Sequence, residues 1–122
     1  MTQYHEPVDE LEAKDRDIVR TLMSLKEEVE AVNWYQQRAS ASDNEELANL
    51  LAHNRDEEIE HACMAIEWLR RNMPGWDEEL QTYLFSEEPI TQLEELEEDE
   101  ESAGDEESAE DDGPADLGLG SL

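Results

Sequence analysis

Glu58 and His61 stand three residues apart in the stretch NRDEEIEHACMAIEW, residues 54–68. On a helix that spacing puts both on one face, where a carboxylate oxygen and an imidazole nitrogen can share one metal ion. Glu-x-x-His alone is a weak pattern, because acid-rich helices generate it by chance. Its setting gives it weight. Steps of four and three through Leu47, Leu51, Asn54, Glu58, His61, Ala65 and Trp68 trace the packing seam of an amphipathic helix, apolar or small at its ends and ionisable in its middle. A carboxylate buried in such a seam is costly without a compensating charge. A cation is the expected compensation.

An earlier stretch offers a matching anomaly. Leu11, Ile18, Leu22, Leu25, Val29 and Val32 form an apolar stripe, and Glu28 borders it, three residues after Leu25 and four before Val32. Glu27 and Glu30 point elsewhere. One Glu on one helix and one Glu-x-x-His on another make half of the helical-bundle recipe for a carboxylate-bridged di-iron centre. A two-fold dimer would supply four carboxylates and two imidazoles, with the site on the symmetry axis. Carboxylates crowded in this way repel unless protonated or metal-bound, so metal should promote dimerisation. Oxygen-rich ligation with imidazole suits iron, manganese or zinc. Trp34 and Tyr35 nearby lean the choice toward redox-active iron.

The elements that must position these residues are helices. After Pro7, which suits a helix start, the stripe predicts a helix over roughly residues 8–40. The break Ser40-Ala-Ser-Asp-Asn-Glu-Glu contains a capping-box pattern, Ser42 followed by Glu45, which predicts the start of a second helix. That helix runs to about Asn72, where Met73-Pro74-Gly75 stops it. Trp76 to Phe85 can form a short third helix with Trp76, Leu80, Tyr83 and Leu84 on one side. Two long helices joined by about four residues must pack antiparallel. The fold class is therefore all-α: an antiparallel two-helix hairpin plus a short third helix, dimerising into a four-helix bundle.

Charge divides the chain. The net charge is −28; the stretch from Glu87 to Asp116 holds 16 acidic residues and no basic one, leaving 20 acidic and 8 basic residues before it. Such a run buries too little apolar surface to offset its ordering entropy and is expected to be disordered. The structured part is then short enough to need a partner copy for stability. Phosphates would be repelled by so acidic a chain, so nucleic acid is excluded as a partner and cations are favoured. No apolar run is long enough to span a bilayer, and MTQYHEPVDE lacks the features of a signal peptide. A single cysteine, Cys63, agrees with a reducing compartment. A cytoplasmic protein without membrane association is expected. Cys63 reads as a packing residue and His53, with Leu rather than Glu three residues before it, as a histidine on the surface or one that supports a ligand from behind.

The stretches HEP at 5–7, EAVNWYQQR at 30–38, LAHNRDEEIEHACMAIEWLRRN at 51–72 and TYLFSEEPIT at 82–91 span nearly all of the structured region. In them the chain resembles the encapsulated ferritins, two-helix members of the ferritin-like superfamily found inside encapsulin nanocompartments. The resemblance implies a decameric ring of five dimers and a ferroxidase site across each two-fold interface, holding two iron ions per dimer, with Ca, Mn or Zn as surrogates. By the same resemblance Glu28, Glu58 and His61 match the iron ligands, Trp34 and Tyr35 match aromatic residues beside the site, and Glu27 and Glu30 match acidic residues on the metal-uptake side. DLGLGSL at 116–122 resembles the cargo-loading peptide that docks on an encapsulin shell. Leu117, Leu119 and Leu122 alternate with Gly118, Gly120 and Ser121, as suits an extended peptide in an apolar groove.

Three segments follow: a ferritin-like hairpin domain over 1–90, an acidic linker over 91–115 and a loading peptide over 116–122. The implied activity is oxidation of Fe(II) to Fe(III), with oxygen or peroxide as acceptor, inside an encapsulin shell in the cytoplasm. The rival reading is a non-catalytic acidic scaffold that binds divalent cations.

Overall fold

The computed structural model of the chain describes residues 4–107, and all of its regular elements there are helical. A 3-10 turn at Val8–Glu10 precedes α1, Ala13–Ala41. Helix α2 is Glu45–Asn72, α3 is Trp76–Tyr83 and α4 is Ile90–Glu107. Helices α1 and α2 form the expected hairpin within a first unit ending at Pro74, and a second unit begins at Gly75.

Helix α1 starts later than Pro7 suggests. Pro7 instead opens the 3-10 turn, closed by the Glu10 N–H donating to the Pro7 carbonyl at 3.0 Å, and Leu11 and Glu12 are extended before the first α-turn. At its other end the Ser42 N–H donates to the Arg38 carbonyl at 3.1 Å, closing the last turn.

The cap of α2 also differs from expectation. Ser42 lies outside the helix, where its hydroxyl accepts from the Asn44 N–H at 3.2 Å, while Asn44 Oδ1 accepts from the Leu47 N–H at 2.9 Å. Asn44 is therefore the N-cap, and Ser42 braces the loop that presents it. Glu45 and Glu46 fall in the first turn and Arg70 and Arg71 in the last, the arrangement that complements the helix dipole at each end. The stop at Met73-Pro74-Gly75 is as expected. Gly75 adopts φ +103°, a backbone conformation open to glycine and strained for other residues.

In the second unit, α4 is the main departure from the sequence expectation. The acidic stretch is helical from Ile90 to Glu107 rather than irregular, and residues 108–122, which hold the rest of the linker and the DLGLGSL segment, lie outside the described residues. Glu is a good helix former, Pro89 accepts the first backbone bonds from Gln92 and Leu93 at 3.0 and 3.2 Å, and Leu93 is half-buried in the packing of α4 on α3. The Thr82 hydroxyl reaches Glu97 Oε2 at 3.5 Å. Desolvation first, and then the charge of Glu97, raises both the Glu79 carboxyl and the Tyr83 phenol above their ordinary ranges.

The core is small. Ile18, Ala62 and Leu69 are the buried apolar residues among those described, and Leu69 alone is sealed completely. Val29, Leu47, Leu50, Ile59 and Met64 on the hairpin all remain exposed. A single copy thus leaves much of its apolar surface in water.

Candidate metal centre

The antiparallel packing of α1 on α2 brings Glu28 beside Glu58 and His61. His61 Nδ1 lies 3.3 Å from Glu28 Oε2 and 3.4 Å from Glu58 Oε1, and one ligand atom from each residue falls within 4.8 Å of the others. Both carboxylates are 23 % exposed and the imidazole 42 %, so the cluster sits at the edge of the hairpin rather than in its core. The spacing of three in α2 puts Glu58 and His61 on one face; the third group comes from α1, thirty residues earlier than Glu58.

The site is electrostatically unbalanced. Glu28 Oε2 is shielded from solvent and accepts no hydrogen bond. Its 3.3 Å approach to His61 Nδ1 is close enough for attraction, yet the ring N–H does not point along it, so a short ion-pair distance and an orphaned oxygen coexist. The Glu28 carboxyl is held above the usual range, chiefly by its hydrogen-bonding contact with Glu58, then by desolvation and by the Glu58 charge; His61 offsets only part of this. A buried acceptor without a donor, set between a second carboxylate and an imidazole nitrogen, is a donor set that suits a divalent cation.

Other sequence candidates lie apart from this cluster. Glu27 and Glu30 are exposed on α1 and join none of the metal-sized groups among the described residues. Tyr35 is half-buried and Trp34 is 47 % exposed, and the Arg38 guanidinium stacks over both rings, 5.4 Å from the Tyr35 centroid and 5.9 Å from that of Trp34. His53 is exposed and joins no such group, which is the surface one of its two readings. Cys63 is exposed, against its expectation as a packing residue: it lies next to Ala62, which takes the buried position, and faces outward.

Two groups escaped the sequence reading. Glu57 and Glu60 approach His61 from the exposed side of α2, and Glu78, Glu97 and Glu101 gather across α3 and α4. The first was hidden because Glu57 and Glu60 fall off the packing seam that drew attention to Glu58. The second depends on α4, which charge alone did not predict.

A model of the EncFtn-like family matches residues 3–87, most of the chain. The chain belongs to that family. It is 66 % identical over 93 residues to a Thermotoga maritima protein named ferritin-like protein, covering 76 % of this chain and 82 % of the relative. Over 90 residues it is 54 % identical to the Rhodospirillum rubrum protein named encapsulated ferritin-like protein, covering 74 % of this chain and 64 % of the relative. A crystal structure of a Nitrosomonas europaea protein, 53 % identical, superposes with a TM-score of 0.69 over 71 % of this chain and 96 % of that one. The family match bears out the encapsulated-ferritin resemblance, and the helices bear out the ferritin-like all-α fold. All of the Glu28, Glu58 and His61 cluster lies inside the matched region.

Proposed function

We propose that the protein is a ferroxidase whose two-iron site is completed when two copies meet across a two-fold axis. The orphaned Glu28 Oε2, facing Glu58 and His61, carries the reading. Three side-chain donors leave an iron ion's shell incomplete. A second copy related by the axis would bring a second set of three, with the Glu58 carboxylates bridging the two ions. The exposed hairpin residues Leu47, Leu50 and Met64 supply apolar surface that such a dimer would bury.

Iron is the substrate here. Carboxylates favour the harder Fe³⁺ over Fe²⁺, and each His61 Nδ1 completes one ion's shell. Two Fe²⁺ ions surrender one electron each; oxygen takes up the two electrons with two protons to give hydrogen peroxide, or peroxide takes them up with two protons to give two waters. By the family resemblance Tyr35 and Trp34 would stand beside the site, and Glu27 and Glu30 would draw cations toward it. Dimers joined in a ring of five would have no storage cavity, so the product would accumulate in a surrounding encapsulin shell in the cytoplasm. The Leu117–Leu122 segment would hold the ring to that shell through its alternating leucines. The name of the Rhodospirillum rubrum relative supports this placement.

The test is anaerobic titration of the full chain with Fe²⁺, followed by native mass measurement and then aeration. Two iron ions per dimer, and oxidation abolished by joint replacement of Glu28, Glu58 and His61 with Ala, are expected. Deleting residues 87–122 should leave oxidation intact. If the triple variant oxidises iron at the original rate and the deletion stops it, the acidic-scaffold reading replaces this one.

A further inference from the structure

The second unit begins at Gly75, and the last basic residue of the chain is Arg71, so the unit has no Lys, Arg or His. Helices α3 and α4 nevertheless meet through carboxylates. Glu78 on α3 gathers with Glu97 and Glu101 on α4, one oxygen of each within 4.8 Å of the others. Glu79 and Tyr83 of α3 both feel the charge of Glu97, and Tyr83 that of Glu94 as well. Glu78, Glu79 and Tyr83 thus face Glu94, Glu97 and Glu101. All six become more negative as pH rises, and the unit supplies no side-chain cation against them.

The contact suits protonated carboxyls better than ionised ones. The Thr82 hydroxyl donates to the Glu78 carbonyl at 3.1 Å and also lies 3.5 Å from Glu97 Oε2. One hydroxyl proton cannot serve both acceptors, whereas a protonated Glu97 would donate to the hydroxyl. Little apolar grip opposes the repulsion: Leu80 and Leu93 are half-buried, while Ile90 and Leu96 of α4 stay 71 % and 49 % exposed. The turn that joins the helices adds strain. Phe85 in it is the one non-glycine residue with positive φ among those described, at +60°, a backbone conformation that its own Cβ disfavours. Opening the turn would release it.

We propose that α4 is a proton-operated arm, closed on α3 when the facing carboxyls hold protons and swung away about the turn at residues 84–89 when they ionise. The structure shows the closed position. The Glu79 carboxyl, raised above its ordinary 4.5 first by desolvation and then by Glu97, makes the closed state the better proton binder. Closure is therefore strongest below that ordinary value and is lost as pH rises through the raised one. The direction of the arm, and with it the position of Glu107, then follows pH. The device lies wholly within the second unit and does not depend on the ferroxidase reading.

The experiment places spin labels on the full chain through Q81C on α3 and E98C on α4, with C63S removing the native thiol. Labelled chain is diluted with unlabelled chain, so that only pairs within one copy are read, and the distance is measured in chelator between about pH 5 and about pH 8. The short-distance population should give way to a longer one as pH rises, its ratio changing about tenfold per pH unit at the steepest point for one extra proton bound on closing. E97Q with E101Q should hold the arm closed throughout. E95Q with D99N, an equal charge change at positions off the α3 contact, should leave the response in place. F85G should raise the closed population at every pH, because glycine takes the left-handed turn without strain. Circular dichroism should show the same helix content at both ends of the range, which distinguishes a moving arm from a melting one. A distance that ignores pH, a response equally abolished by E95Q with D99N or undiminished in E97Q with E101Q, an F85G arm more open than the wild type, or a loss of helix matching α4 would overturn the proposal.

Discussion

Replacing Glu28 with Gln should make the metal-free protein more stable and the metal-loaded protein relatively less so. With ligand atoms no more than 4.8 Å apart, two ionised carboxylates repel by about 3.5 kcal/mol at an effective dielectric of about 20. Screening and the neighbouring imidazole reduce that figure. Both side chains are 23 % exposed, and His61 offsets part of the repulsion at Glu28. Gln removes one of the two charges, and its amide can donate to Glu58. A net gain of about 1 kcal/mol is the expected remainder, which in a domain of this size raises the melting temperature by roughly 4–8 °C. Mn²⁺ or Zn²⁺, which bind without being oxidised, should reverse the order. At a hundredfold excess over its dissociation constant a ligand contributes about 2.7 kcal/mol, and E28Q, lacking one anionic donor, should gain much less. Thermal melts of both proteins in chelator and in metal measure all four values. A lower metal-free melting temperature for E28Q, or an equal metal-induced rise in both, would show that Glu28 is a satisfied structural residue and refute the reasoning.

Two further outcomes test the local structure. Asn44→Ala should destabilise α2 by about 1 kcal/mol, as loss of an N-cap does, whereas Ser42→Ala should cost less because that hydroxyl braces only the loop; urea melts of the pair decide between them. The Glu67 carboxyl is lowered to about 2, first by hydrogen bonds from Arg70 and then by those from Arg71. Its folded value lies below the ordinary 4.5, so its contribution is complete above that ordinary value and is lost as pH falls from there toward 2. Melting temperature against pH in that window should therefore fall less steeply for E67Q than for the wild type.

The centre was legible because its residues violate a pattern. Glu58 and His61 interrupt a seam, and Glu28 borders a stripe, so periodicity alone marked them and the short connection fixed which helices must meet. Helix ends bounded by strong breakers were legible for the same reason, as at Met73-Pro74-Gly75. The cap of α2 was not, since Ser42 and Asn44 can both cap and only the path of the loop decides which side chain reaches a free N–H. Helix α4 was missed because net charge speaks to solubility and repulsion, while the backbone responds to the propensity of Glu and to Pro89 placed at a helix start. Phe85 gave no signal at all. Nothing in Leu-Phe-Ser-Glu announces a left-handed backbone.

The persistence of α4 into the acidic stretch has a mechanical consequence. Its 18 residues, at about 1.5 Å of rise each, make a strut of roughly 27 Å, where a flexible coil of equal length would sample every separation from contact outward. Glu107 is therefore held at a fixed remove from Pro89.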